Sequence, residues 1–79
     1  MIISIEVVKK ASNLVINVKE KGSDKLKDYS LTTESLTLNE NEMNAYEKDM
    51  FALFPSAAYE ILESTRDILA TGGKVEVEV

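Results

Sequence analysis

Apolar and polar residues alternate with a period of two along two stretches near the start of the chain and again along its last residues. The alternating apolar positions are Ile3, Ile5, Val7, Leu14, Ile16 and Val18 in the first two stretches and Val75, Val77 and Val79 in the last. A period of two is typical of a β-strand with one buried face. The polar residues 9–13 predict a turn between the first two strands, which should therefore form an antiparallel hairpin.

A third strand is predicted after a second turn, and it is richer in tyrosine and threonine than the first two. Its apolar side holds Tyr29, Leu31 and Thr33, which fall at the strand period. Leu36 and Leu38 continue the alternation after a polar interruption. These two leucines either extend the third strand past a kink or lie in the loop that leads to the next element.

The pattern changes to a helical period near residue 39. Apolar side chains then recur on one side of the predicted helix, at Met43, Tyr46, Met50, Phe51 and Phe54. Asn39 followed by Glu42 forms a capping signal, and Thr37 with Glu40 offers the same signal two residues earlier. Pro55 should end or kink this helix, because it has no amide hydrogen and its ring clashes with the preceding turn.

A second helix is predicted after the proline, with Ser56 as its N-cap. Its apolar side consists of Ala58, Ile61, Leu62, Thr65, Ile68 and Leu69. The pair Gly72-Gly73 should end it, since glycine adopts the left-handed conformation that closes a helix. The element order is therefore β-β-β-α-α-β.

We expect residues 1–79 to form a single α+β domain, a two-layer sandwich in which both helices pack on one face of a mainly antiparallel four-stranded sheet. The position of the last strand depends on the helices. If they form a hairpin across Pro55, this strand returns antiparallel to its neighbour; if they run on as one kinked rod, it pairs parallel through a crossover. We favour a place beside the first strand, which gives the spatial order 3-2-1-4.

The composition removes most catalytic chemistry from consideration. The 79 residues contain no His, Cys or Trp, and Arg66 is the only arginine. Histidine and cysteine provide most nucleophilic catalysis and tight transition-metal binding, so we expect neither an enzyme nor a cofactor. The first ten residues are apolar but too short to span a membrane, and a cysteine-free chain suits a reducing compartment. We therefore expect a cytoplasmic protein that does not bind membranes.

The net charge of −5 is unevenly distributed. Residues 1–33 carry six lysines against four acids, for +2, whereas residues 34–79 carry ten acids against three basic residues, for −7. The acidic half would repel a nucleic-acid backbone, so we do not expect a nucleic-acid partner. One alternative is that the acids of residues 34–67 imitate nucleic-acid phosphates and occupy a nucleic-acid-binding protein.

The densest group of oxygen-bearing side chains lies in residues 39–49. Such a group suits Ca²⁺ or Mg²⁺, but Met43 and Asn44 stand where an EF-hand loop needs a ligand and a glycine. Acids in the first turn of a helix also have a structural reason, because they face its positive end. We therefore predict no metal site here.

The candidate functional residues are mostly aromatic. Four of the five aromatic side chains lie between residues 46 and 59, and most of them should cover the sheet. Phe51 and Phe54 cannot both face the sheet squarely, and Tyr59 falls on the outer side of the second helix. Glu63 lies where it can pair with Arg66 three residues later. We predict that Phe51, Phe54, Tyr59, Glu63 and Arg66 contact a partner protein.

The last strand should lie at a sheet edge, where a second copy of the chain could pair with it. The sequence thus predicts a small acidic non-enzymatic protein-protein interaction module, an inhibitor, adaptor or accessory subunit, with a homodimer as one form. The alternative is a small-ligand-binding domain. Its pocket would lie between the helices and the sheet, near Tyr29, Tyr46 and Phe54, or at a dimer interface.

Overall fold

The computed structural model describes residues 1–11 and 13–79, and it describes Lys25 by its backbone only. The elements are β1 (Ile2–Lys10), β2 (Asn13–Glu20), β3 (Lys25–Ser30), α1 (Glu40–Leu53), α2 (Ala58–Leu69) and β4 (Gly73–Glu78). Among the described residues, no helix is both long enough and apolar enough to cross a membrane.

The four strands form one antiparallel sheet in the order β3-β2-β1-β4, which confirms the predicted fold and strand order. Contacts between the helices settle the direction of β4. Phe51, near the end of α1, lies against Tyr59, near the start of α2. Tyr46, earlier in α1, bonds to Thr65, later in α2, so the two helices run antiparallel. The helices therefore form a hairpin across Pro55, and β4 returns antiparallel to β1.

The core lies between one face of the sheet and both helices. Its buried side chains are Ile3, Ile5, Val7, Ile16, Val18, Tyr29, Leu31 and Val77 from the sheet, its connections and the segment after β3, and Tyr46, Met50, Ala57, Ile61 and Leu62 from the helical part. The opposite face of the sheet, which we call the open face, carries polar side chains such as Glu6, Lys74 and Glu76, all exposed. This division follows from the strand period, because alternate residues point to opposite faces.

The N-terminus of α1 is capped by Asn39, one of the two predicted capping signals. The Asn39 side chain accepts a hydrogen bond of 3.2 Å from the backbone N–H of Glu42. The competing signal at Thr37 is not used, since its hydroxyl bonds to that of Thr33 at 2.7 Å. The helix ends before Pro55, and Phe54 closes it by donating its N–H to the carbonyl of Met50 at 2.9 Å.

The predicted N-cap of α2 is wrong. The capping position is Ala57, whose side chain makes no capping hydrogen bond, and Ser56 lies one residue before it and is exposed. The turn after α1 explains the difference, because Ala57 donates its N–H to the carbonyl of Phe54 at 3.0 Å. This turn carries Ala57 and Ala58 into the core, at 7% and 0% exposure, so burial of the alanines decides where the helix begins.

The end of α2 follows the prediction from its glycine pair. Gly72 has a φ of +75° and donates its N–H to the carbonyl of Ile68 at 2.8 Å. A Cβ at this position would stand 3.3 Å from the carbonyl oxygen of Val7. Glycine is therefore required both by the left-handed backbone and by the close approach of β1.

Two connections refine the sequence predictions. Leu36 and Leu38 lie in the loop before α1, where both are more than half exposed and Leu36 has a φ of +66°. The turn between β1 and β2 is shorter than predicted, since the strands reach Lys10 and begin again at Asn13. The predicted turn also includes Ser12, which lies outside the described residues.

Candidate functional site

The two helices leave a continuous strip of side chains on the side away from the sheet. We call this strip the inter-helix surface. It lines an open groove of about 340 Å³ and consists of Glu47, Phe51, Tyr59, Leu62, Glu63 and Arg66. Four of the five residues predicted to contact a partner are thus brought together, although they come from two different helices.

An aromatic pair stands at one end of the inter-helix surface. The rings of Phe51 and Tyr59 meet edge to face, with centroids 5.1 Å apart and planes at 85°. Tyr59 remains 78% exposed and Phe51 39% exposed, which confirms the predicted outward position of Tyr59. Of Phe51 and Phe54, it is therefore Phe51 that remains exposed, whereas Phe54 is partly buried. The contact holds the two rings in one orientation without removing them from solvent.

The position of Tyr59 follows from the buried stripe of α2. Ala58, Ile61, Leu62 and Thr65 are the buried residues of this helix. Successive helical residues are separated by about 100°, so Tyr59 points away from the stripe, and its contact with Phe51 shows that it lies on the side that borders α1. Burial of the other four residues therefore fixes where Tyr59 is displayed.

Arg66 makes a different ion pair from the one predicted. Its guanidinium lies 3.7 Å from Glu47 of α1, whereas the sequence predicted pairing with Glu63 on its own helix. The hairpin brings Glu47 opposite Arg66, and this cross-helix position is invisible in a pattern read along one helix. The arginine side chain is 65% exposed and the glutamate side chain 33%, so the pair orients the arginine and contributes little to stability.

Phe54 does not belong to the inter-helix surface. It is only partly buried against the core and lines a separate groove of about 210 Å³, whose other residues are Met1, Leu53, Pro55, Ser56, Ala57 and Val79. The turn at Pro55 is the reason, since Phe54 closes α1 and its backbone there departs from the helix.

Sequence reasoning did not include Glu47 and Leu62 in the candidate surface. Glu47 lies one helical turn before Phe51, and Leu62 lies between Tyr59 and Arg66 at spacings of three and four. Such spacings place residues on one side of a helix. The two residues could therefore have been found by extending the stripe of each predicted contact residue by one turn.

A buried hydrogen-bond chain joins the helices beneath the inter-helix surface. Thr65 donates its hydroxyl to the carbonyl of Ile61 at 2.7 Å, so the Tyr46 hydroxyl is the donor in its own bond to Thr65. Burial raises the pKa of Tyr46 to about 12; the bond to Thr65 lowers it in part, and the charge of Glu47 raises it further. The chain satisfies both hydroxyls away from water, which fixes the helix pair in one arrangement.

A second polar group ties α1 to β3. The Asp49 carboxylate accepts hydrogen bonds from the Tyr29 hydroxyl at 2.7 Å and from the Lys27 ammonium at 3.2 Å. These bonds lower the pKa of Asp49 below its ordinary value. Burial, together with the bond to Asp49, raises the pKa of Tyr29. A carboxylate with two such donors is favoured in its ionised form.

The group around Asp49 should make stability depend on acid. A carboxyl group with a lowered folded-state pKa stabilises the fold above its unfolded-state pKa of about 3.9, and this contribution is lost as the pH falls through the folded-state value. We expect Asp49→Asn to destabilise the protein at pH 7. The difference in unfolding free energy from the wild type should shrink below about pH 4, as measured by urea denaturation at several pH values.

The Tyr29→Phe background provides the control for this prediction. Without the phenol, Asp49 loses one of its two donors, so the acid-dependent part of the Asp49→Asn effect should become smaller. A difference that stayed constant through the acid range would contradict the role assigned to Asp49.

The space between the helices and the sheet is occupied by the protein's own rings. Tyr29 and Tyr46 are 1% and 0% exposed, and they pack edge to face with centroids 5.1 Å apart. Because these are two of the three residues near which an internal ligand pocket was predicted, the third being Phe54, their packing weighs against a ligand site there.

Two further candidates for a site are a metal-binding cluster and a pocket on the open face. The described residues contain no group of three or more His, Cys, Asp or Glu side chains that could hold a metal ion. The open face has a pocket of about 50 Å³ lined by Ser4, Glu6, Asn17, Lys19 and Lys74. Ser4 is 2% exposed, and within the described part of the chain its hydroxyl has no hydrogen-bond partner. A space of this size suits one or two water molecules and no organic ligand.

Comparisons with known proteins leave this surface as the main guide to function. No protein-family model matches the chain, and neither a curated protein nor a solved structure matches it.

Proposed function

We propose that this chain is a small cytoplasmic, non-enzymatic module that binds another protein through the inter-helix surface, as an inhibitor, adaptor or accessory subunit. The observation that carries the proposal is the Phe51–Tyr59 pair, in which Tyr59 is 78% exposed although its ring is held by a neighbour. The cysteine-free composition of the chain is compatible with the reducing cytoplasm.

The composition of the surface favours a protein partner. Tyrosine and arginine are enriched among the residues that contribute most to protein–protein binding, and Tyr59 and Arg66 lie on the same side of α2. A rigid ring loses little conformational entropy when it is buried by a partner, since it has few torsions to fix. Leu62 also lines the groove and adds an apolar side chain to it.

The charge of the surface indicates the chemistry of the partner. Glu47 and Glu63 line the groove, and Arg66 is the only basic side chain among its described lining residues. Residues 34–79 as a whole carry a charge of −7. The complementary surface is therefore an apolar cleft that accepts Tyr59, surrounded by lysines or arginines.

The proposal can be tested by capture from source-cell lysate with the tagged chain and two variants. We expect the wild type to retain one stoichiometric partner and Tyr59→Ala to lose it. The matched control is Leu36→Ala, which removes another exposed apolar side chain, 63% accessible, from a loop outside the inter-helix surface. Leu36→Ala should retain the partner.

Binding of the purified partner should also weaken with added salt and with Glu63→Lys, because both reduce the attraction of a basic rim. Equal capture by Tyr59→Ala and wild type would contradict the proposed surface. Failure of the wild-type chain to retain any partner would instead favour the small-ligand alternative.

A further inference from the structure

The two edges of the sheet differ in how they are protected against pairing with another strand. Strand β3 has a register irregularity opposite Val18 and Lys19. It also carries Lys27, which forms an ion pair with Asp49 of α1. Irregular pairing and charges directed toward the core discourage edge-to-edge association. Strand β4 pairs with β1 in continuous register over Gly73–Glu78 and has neither feature.

The hydrogen bonds of β4 show which of its backbone groups face outward. Val79 donates its N–H to the carbonyl of Met1 at 2.9 Å, so residues 1 and 79 form a hydrogen-bonded pair. In an antiparallel ladder such pairs alternate with non-bonded ones. It follows that Val75 and Val77 direct their backbone groups toward β1. The outward-facing backbone groups of β4 belong to Lys74, Glu76 and Glu78.

We propose that two copies of the chain pair through β4 in antiparallel orientation, with the twofold axis at Glu76, to form one continuous eight-stranded sheet. In this register Lys74 of each copy lies opposite Glu78 of the other, and every outward-facing backbone group of the strand finds a partner. Opposite charges at directly facing positions stabilise a strand pair.

Neighbouring registers satisfy fewer groups. An axis at Val75 leaves Glu78 without a backbone partner in the other strand. An axis at Val77 places Glu76 opposite Glu78, which is a repulsive pair. The axis at Glu76 brings two copies of that residue together, but Lys21 lies 3.2 Å from each Glu76 carboxylate within its own copy and offsets its charge.

Pairing would also complete the burial of apolar side chains on the core face. Val77 is 2% exposed, whereas Val75 and Val79 at the edge are only half-buried. With the axis at Glu76, Val75 faces Val77 of the other copy at a non-hydrogen-bonded position, where facing side chains lie closest. A 79-residue chain has a small core, so additional apolar contact is worth more to it than to a larger domain.

The first test measures the mass of the full chain by analytical ultracentrifugation over a range of concentrations. We expect a dimer for the wild type and a monomer for Glu76→Pro. The N–H of Glu76 faces away from β1, so this proline removes an outward donor and leaves the hydrogen bonds to β1 in place. Circular dichroism should show the fold retained. Glu76→Gln is the matched control and should dimerise at least as tightly as the wild type.

The second test uses charge reversal to check the register. Lys74→Glu and Glu78→Lys should each raise the dimer dissociation constant about tenfold, because each change creates two like-charge contacts per dimer. The double variant should restore wild-type association. Rescue of Lys74→Glu by Glu76→Lys instead would overturn the proposed register.

A wild-type chain that stayed monomeric up to about 1 mM would overturn the dimer itself. So would a dimer that Glu76→Pro left unchanged. The result is independent of the proposed function, since no residue of β4 belongs to the inter-helix surface. Tyr59→Ala should therefore leave the dimer intact, even where it abolishes capture of a partner.

Discussion

Replacing Val77 with aspartate is expected to leave the chain largely unfolded at room temperature. Val77 is 2% exposed and lies opposite Ile3, which is fully buried. An unpaired carboxylate at such a position costs several kcal/mol, through burial of the charge or through its forced protonation. The total stability of a 79-residue domain is only about 4–12 kcal/mol at ~0.05–0.15 kcal/mol per residue. Far-UV circular dichroism and urea denaturation would measure the loss.

The matched control for Val77→Asp is Val8→Asp. Val8 is half-buried on the open face of the central strand β1, so a carboxylate there remains hydrated. We expect Val8→Asp to cost about 1 kcal/mol, as for most substitutions at accessible positions. If Val77→Asp destabilised the protein no more than Val8→Asp, the result would contradict the burial of Val77 between β4 and the helices.

The second large effect is expected for Tyr46→Ala, which should reduce the free energy of unfolding by about 3–5 kcal/mol. Tyr46 is fully buried, contacts the Tyr29 ring and bonds to Thr65 across the helix pair. Its removal leaves a cavity between α1 and the sheet and takes away the hydrogen bond that joins the helices. Thermal and urea denaturation would both report the change.

Tyr59→Ala serves as the internal comparison, because it removes the same side chain from an exposed position on the other helix. Its cost should stay below about 1 kcal/mol, the range of a single aromatic edge contact. A marked loss of stability in Tyr59→Ala would show that the ring is structural, and it would remove the main support for the inter-helix surface. The two substitutions thus separate a core tyrosine from a contact tyrosine.

The candidate site was only partly accessible to sequence reasoning. The outward position of Tyr59 could be predicted because it depends on the buried stripe of its own helix. The pairing of Arg66 with Glu47 could not, since it depends on how two helices face each other. Phe54 was assigned to the surface by its spacing in α1, but the turn at Pro55 directs it to another groove.

The sequence by itself determined the elements, their order and most of the residues that each one buries, because strand and helix periods are local properties of the chain; Phe51, predicted on the apolar side of α1, is 39% exposed. The sequence also indicated two possible caps for α1, of which the structure uses Asn39, and the glycine that ends α2; these depend on a few neighbouring residues. Only the tertiary structure decided that β4 runs antiparallel to β1 and that α2 begins at Ala58. It alone brought Phe51, Tyr59 and Arg66 onto one surface. These features depend on how the two helices turn at Pro55 and pack on the sheet, and residues distant in sequence determine that packing.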